Sequence, residues 1–427
     1  MNMKHFITLT IALIVSSLFA HAFDSSNGRP VLYTRSYSKD IHSVQINNFA
    51  RKPYYPMFEL GSQEFVTLKF DDISGLANTY SYKIIHCNSQ WQPDDMSESQ
   101  CISGFTGSYL NNYETSVNTF VTYTHYELTF PNEDAAPVIS GNYVIAVYNP
   151  EDQDHPVLTA RFMVVESRVA VQCNVTANTD IDVEKTHQQV NAVVNYPDYD
   201  ISQPSQELKL VIYQNNRQDN VAYIDAPTFY ESRIVRYRMN KDMIFNAGNE
   251  FRTFDISSKY VLDHNVERFE YFKPFYHVTL YPSRNRSKIQ FEPWQTVSGR
   301  YIVNLQGNTY PDVEADYVFV HFTLPAETPF LDGKVYILGE LTEYRLDKSS
   351  QMDYNYETRA YEKALLLKQG GYNFLYAYVP DHYTTADLSP FEGNFWQTSN
   401  EYAVLLYHRP FGSLYDRLVG YWIGYFK

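Results

Sequence analysis

Two side chains with acid–base and nucleophilic chemistry stand together in "HCNSQW", where His86 is followed directly by Cys87. A Cys–His dyad needs both groups within hydrogen-bond reach of each other. The stretch "YSYKIIHC" alternates as a strand does, and neighbours on a strand point to opposite faces. The two are therefore expected to lie apart, as a hydrogen-bonded buried histidine and a packed thiol. The acid pairs Asp71 with Asp72 and Glu250 with Asp255 would serve glycoside hydrolysis only if two carboxylates faced each other about 5 to 10 Å apart across a cleft. At turns such pairs are ordinarily solvated or act as caps. No GxSxG, HExxH, Walker or GxGxxG pattern occurs. The chain reads as non-enzymatic, with no catalytic residue, no metal ligand and no cofactor assigned.

Cys87, Cys101 and Cys173 are the only cysteines, and no CxxC motif is present. Proximity makes Cys87 with Cys101 the natural pair, and closing such a loop contributes ~3 kcal/mol when unstrained. Three buried free thiols are the other reading, and the sequence leaves both open. Residues suited to gripping a partner gather in "YHRPFGSLYDRLVGYW", which holds Tyr407, Arg409, Phe411, Tyr415, Arg417 and Tyr421. Aromatic and Arg side chains commonly anchor interfaces; the alternative is that they tie the last strand down. In "KQGGYNFLYAYV" the alternation puts Tyr372, Phe374, Tyr376 and Tyr378 on one side of a strand, either as core or as an open aromatic platform.

The elements that must position these residues are strands. The chain of 427 residues is 16% aromatic, with 39 Tyr and 27 Phe, and side chains of this kind pack well on a pleated surface. Segments such as "FVTLKF", "GNYVIAVYN" and "LKLVIYQN" lie between turn-rich pieces, which predicts an all-β protein of tandem Ig-like β-sandwich domains. Tyr143, Ile145 and Val147 are expected to face inward. The length suits two to four domains at roughly 100 to 200 residues each. Three are expected: an N-terminal sandwich over 23–166, a middle sandwich over 167–310 and a C-terminal Ig-like domain over 311–427, the last joint marked by "GNTYPDVEAD". "NAGNEFRTFDISS" breaks the alternation and reads as a long connection across the middle sandwich.

The first 22 residues carry Lys4, an apolar run from Phe6 to Phe19 and Ala20-His21-Ala22, the pattern of a cleavable secretory signal. The run is shorter than the ~20 apolar residues that a spanning helix needs, so no direct membrane span is expected. The formal charge of −15 becomes −16 without Lys4, which makes nucleic acid and anionic lipid poor partners.

Two resemblances bear on function. "GKVYILGEL" followed by "YETRAYEKALLLKQGGYNFLYAYV" resembles the glycan-binding Ig-like (early-set) modules of amylase and glycogen-regulating proteins. Those modules stack sugars on exposed Trp; here the corresponding stretch offers Tyr344 alone, so the resemblance is one of fold. "YTRSYSKDIHSVQI", "YSYKIIHCNSQW", "GNEFRTFDISS" and "GNFWQTSNEYAVLLYHRPFGSLYDRLVGY" resemble the type IX secretion system plug protein family of Bacteroidota, from about Leu32 to Tyr425. That resemblance implies a soluble periplasmic protein, a monomer within a hetero-complex. It would dock on the periplasmic end of a very large outer-membrane translocon barrel and block the pore. A periplasmic glycan-binding protein is the alternative.

Overall fold

The computed structural model describes residues 29–50, 55–307 and 309–426, so the signal read over residues 1–22 lies outside the described residues. Within them strands dominate, as the alternation predicts, and the helices are single turns. The strand Gly141–Asn149 shows the governing pattern: Tyr143, Ile145 and Val147 enter one apolar core while Val144 enters another on the opposite face. A strand that is apolar on both sides must be covered on both sides. This sequence contains several such strands, and they dictate how its sandwiches join.

Three sandwich cores result. The first lies between a sheet ordered Arg35–Ser36, Asp152–Val165, Gly141–Asn149, Ser81–Cys87 and one ordered Ile41–Asn47, Val66–Asp72, Thr124–Phe130, Tyr113–Thr115. Phe70, Tyr82, Tyr126, Phe130 and Phe162 fill it. In the second, Ala170–Thr176, His187–Asn195, Ile234–Tyr237 and Phe229–Glu231 face Ala222–Ile224, Leu208–Gln214, Glu401–His408 and Arg417–Tyr425. The third sets Val266–Phe272, Phe275–Leu280, Tyr317–Pro325, Ala360–Lys368 and Asp353–Asn355 against Arg252–Asp255, Gly370–Pro380 and Tyr301–Val303, with Gly333–Leu338 beside Gly370–Pro380.

The boundary expected at 310/311 does not separate these cores. Strands within 252–280 belong to the third, and the segment 401–426, expected in the C-terminal domain, completes the second. Leu208 pairs with His408 and Gln214 with Tyr402 in an unbroken antiparallel register. The reason is physical: Leu208–Gln214 and Glu401–His408 are buried nearly throughout, and each is the other's cover along one edge. The entropy of closing a long loop grows only slowly with its length, so a partner some two hundred residues away is available. Likewise "GNEFRTFDISS" is not a structureless connection, because Arg252–Asp255 pairs with Gly371–Phe374.

The aromatic strip is core, not platform. Tyr372, Phe374, Tyr376 and Tyr378 enter the third core, where Phe254 and Tyr301 stack on Tyr372 with centroids 5.1 Å away in each case. Leu375, Ala377 and Val379, on the reverse face, enter a smaller cluster with Phe251, Leu388 and Tyr344. Tyr344 is only 8% exposed and offers no open ring.

Candidate interaction surface

Of the C-terminal residues read as a partner surface, one is buried, one is fully exposed, and Arg409, Tyr415, Arg417 and Tyr421 are half-buried. Tyr407 is buried, and its hydroxyl donates to Asn142 Oδ1 at 2.7 Å. Arg409 turns back on its own loop, donating to the carbonyls of Ser413 and Leu414 at 3.2 Å each. Tyr415 sets its ring edge-on to His86, Arg417 lies over the Tyr415 ring, and Tyr421 packs against the apolar layer between the first two cores. Only Phe411 stands free, fully exposed at the loop tip beside the exposed Leu414. The composition that suits an interface between proteins also suits a joint inside one, and here it makes the joint.

"HCNSQW" is the other half of that joint. His86 bonds to Asp94 through Nδ1, and its ring meets Tyr143 edge-on at 4.7 Å. The Ser89 amide donates to Asp416 at 2.8 Å, and Trp91 Nε1 donates to the Tyr213 hydroxyl at 2.8 Å. Gly141 permits this fit. It holds φ at +138°, and a Cβ there would come within 2.5 Å of His86 Nε2 and 3.1 Å of the Asp416 carbonyl oxygen. Cys87 faces the opposite way, into the layer shared with Val211, Ala403 and Leu405. No dyad forms, as the alternation predicts. Of the two readings left open for the cysteines, the structure has free thiols: Cys87 and Cys101 lie unbonded in different clusters, Cys101 inside the first core. Burial pushes both thiols up.

The acid pairs are likewise structural. Asp71, buried, accepts from Lys368 Nζ and the Tyr317 hydroxyl at 2.6 Å each, and His125 Nδ1 lies 2.6 Å away; this joins the first core to the third. Asp72 accepts from the Tyr80 hydroxyl at 2.8 Å. Glu250 receives the Ser399 amide at 2.9 Å, while Asp255 accepts from the Ser257 amide at 2.7 Å. Arg300 grips Glu401 with two bonds of 2.9 and 2.6 Å, joining the third core to the second. Every pair of cores is thus linked by buried polar contacts. Among the described residues no three His, Cys, Asp or Glu side chains converge to hold a metal, and no helix is long and apolar enough to cross a membrane.

The open surface lies elsewhere, on the hairpin formed by Val266–Phe272 and Phe275–Leu280, a place the sequence reading passed over. Val266–Phe272 is an edge strand. Phe120, from a loop of the first core, meets Tyr271 and Tyr276 at centroid distances of 5.3 and 5.1 Å. Lys259 Nζ sits over both Phe120 and Tyr276, at 5.0 and 4.5 Å. Phe120, Tyr271 and Phe272 are exposed, and so are Tyr260, Val261 and Leu262, which follow Lys259. The signal was present in "VERFEYFKPFYHVTL": its aromatic residues fall on both faces of a strand pair that has only one core to fill.

The body is thus all-β, three sandwiches with internal polar joints and an exposed aromatic ledge. Residues 41–166 match the family described as type 9 secretion system plug protein 1st domain. A hypothetical protein from Parabacteroides merdae, known from its crystal structure, is 37% identical, with a TM-score of 0.91 over 93% of this chain and 100% of that one. No curated protein matches. The chain belongs to the type 9 secretion system plug protein family, and its role is connected with type 9 secretion.

Proposed function

We propose that the protein is a plug in the literal sense: a periplasmic, non-enzymatic protein, exported by a cleavable signal, that docks on the outer-membrane translocon barrel and occludes its periplasmic opening. The observation that carries this reading is the aromatic ledge of Phe120, Tyr271 and Tyr276 on a body whose cores are linked pairwise. Exposed apolar patches on a folded chain mark interaction sites, and aromatic side chains supply most of the energy of such contacts. An occluding body also has to keep its shape across a wide opening, which the buried joints favour. It acts as one copy in a hetero-complex, with no nucleic acid partner.

Removal of the protein is expected to make the outer membrane leaky to large antibiotics while secretion continues in part. An unchanged permeability barrier would overturn the occlusion. Replacing Phe120 and Tyr271 together by Ser is expected to release the protein from the barrel in pull-downs from native outer membranes. Because these side chains are exposed, the melting temperature should move by no more than about 2 °C. Glycan binding is not favoured, because Tyr344 is buried; calorimetric titration with starch, glycogen and peptidoglycan fragments is expected to be flat.

A further inference from the structure

A cleft of about 800 Å³ opens on the third sandwich, lined by Arg252, Arg284, Arg286, Tyr281, Ile289 and Trp294 among others. Its chemistry is unlike that of the rest of this acidic chain. Arg252 Nε and Arg286 Nε donate to the two oxygens of Glu392 at 3.0 and 2.8 Å, and Glu392 is 0% exposed. One carboxylate therefore serves two guanidinium groups, and Arg286 Nη1 is left buried without an acceptor. Arg286 Nη2 also donates to the Glu250 carbonyl oxygen at 2.8 Å, and burial pushes the Glu250 carboxyl up. Arg284 is exposed, lines the same cleft and has no ion-pair partner among the described residues. Glu292 is the one carboxylate in the lining. Trp294 is held by its Nε1 donating to the Phe251 carbonyl at 2.7 Å, with the Arg286 guanidinium 5.1 Å from its ring centroid.

We infer that this cleft binds a carboxylate-bearing peptide segment. Guanidinium groups match a carboxylate in plane and can hold it with two bonds, so the exposed Arg284 defines the polar end. Trp294, Tyr281 and Ile289 give the apolar wall that the body of a peptide would cover. The volume is in the range of organic-ligand sites and far larger than a single inorganic anion requires. In a chain of charge −15, a locally cationic cleft selects an acidic segment by field as well as by contact. The occlusion reading makes no use of this cleft, so either can fail alone.

The test uses the full chain and four probes: an acidic peptide amidated at its C-terminus, a neutral peptide with a free C-terminus, the same neutral peptide amidated, and inorganic phosphate. At least one carboxylate-bearing peptide is expected to bind, detected by calorimetry and by an emission change that Trp294→Phe abolishes. Which of the two binds assigns the carboxylate to a side chain or to a chain end. Arg284→Gln, at an exposed position, should weaken binding by about tenfold with unchanged circular dichroism. Failure of both carboxylate peptides, equal binding of the amidated neutral peptide or of phosphate, or indifference to Arg284→Gln would overturn the site.

Discussion

Asp71 illustrates how a side chain of catalytic type becomes structural. Burial alone would push its carboxyl up; the Lys368 ammonium and the His125 imidazole beside it outweigh that and hold it below its ordinary value. The sign of the linkage follows. A carboxylate lowered in the folded state contributes stability that is fully present above its unfolded pKa of about 4 and is lost as pH falls through the lower folded value. Thermal unfolding between neutral pH and pH 3 is expected to show this loss, and Asp71→Asn should flatten it. Lys368→Met removes one half of a pair in which each side chain is 1% exposed, and is expected to cost roughly 3 to 5 kcal/mol by denaturant titration. The sequence displayed Asp71 and Asp72 plainly, yet not this role. Lys368 lies 297 positions away, and no local pattern reports a contact at that distance.

At the scale of elements, alternation made strands and inward positions legible: Tyr143, Ile145 and Val147 follow directly from it. Pairing was not legible, because Leu208–Gln214 carries the same apolar signature whichever strand covers its edge. The C-terminal hairpin shows the cost of reading residue type without placement. Tyr407→Ala and Arg409→Ala are each expected to lower the melting temperature, since one leaves the buried Asn142 Oδ1 without its donor and the other frees the loop carbonyls. Removing a buried hydrogen-bond partner typically costs about 1 to 3 kcal/mol. Phe411→Ser touches nothing buried, and its effect should stay within about 0.5 kcal/mol. Differential scanning fluorimetry of the three variants separates these outcomes. Loss of stability in Phe411→Ser would overturn the assignment of its ring to the surface.

For the whole molecule, the first core is drawn from one stretch of chain, residues 41–164, and the third from 254–391, whereas the second needs residues 169–245 together with 402–426. A fragment spanning 167–310 therefore lacks two strands of the sheet that closes its sandwich, and a fragment spanning 311–427 carries those strands as a hairpin without Leu208–Gln214 to pair against. Neither is expected to unfold cooperatively or to give dispersed amide resonances, while mixing the fragments should not be silent, because each exposes an edge the other fits. The arrangement also has a consequence in time. A polypeptide emerges N-terminus first, whether from a ribosome or through a translocation channel, and the second sandwich cannot close until its last two strands arrive. Until then Leu208–Gln214 presents an unpaired apolar edge, the kind of surface that aggregates or recruits a chaperone. Residues 401–426 thus close the molecule at its centre, and a chain interrupted before them is expected to leave Leu208–Gln214 uncovered along that edge.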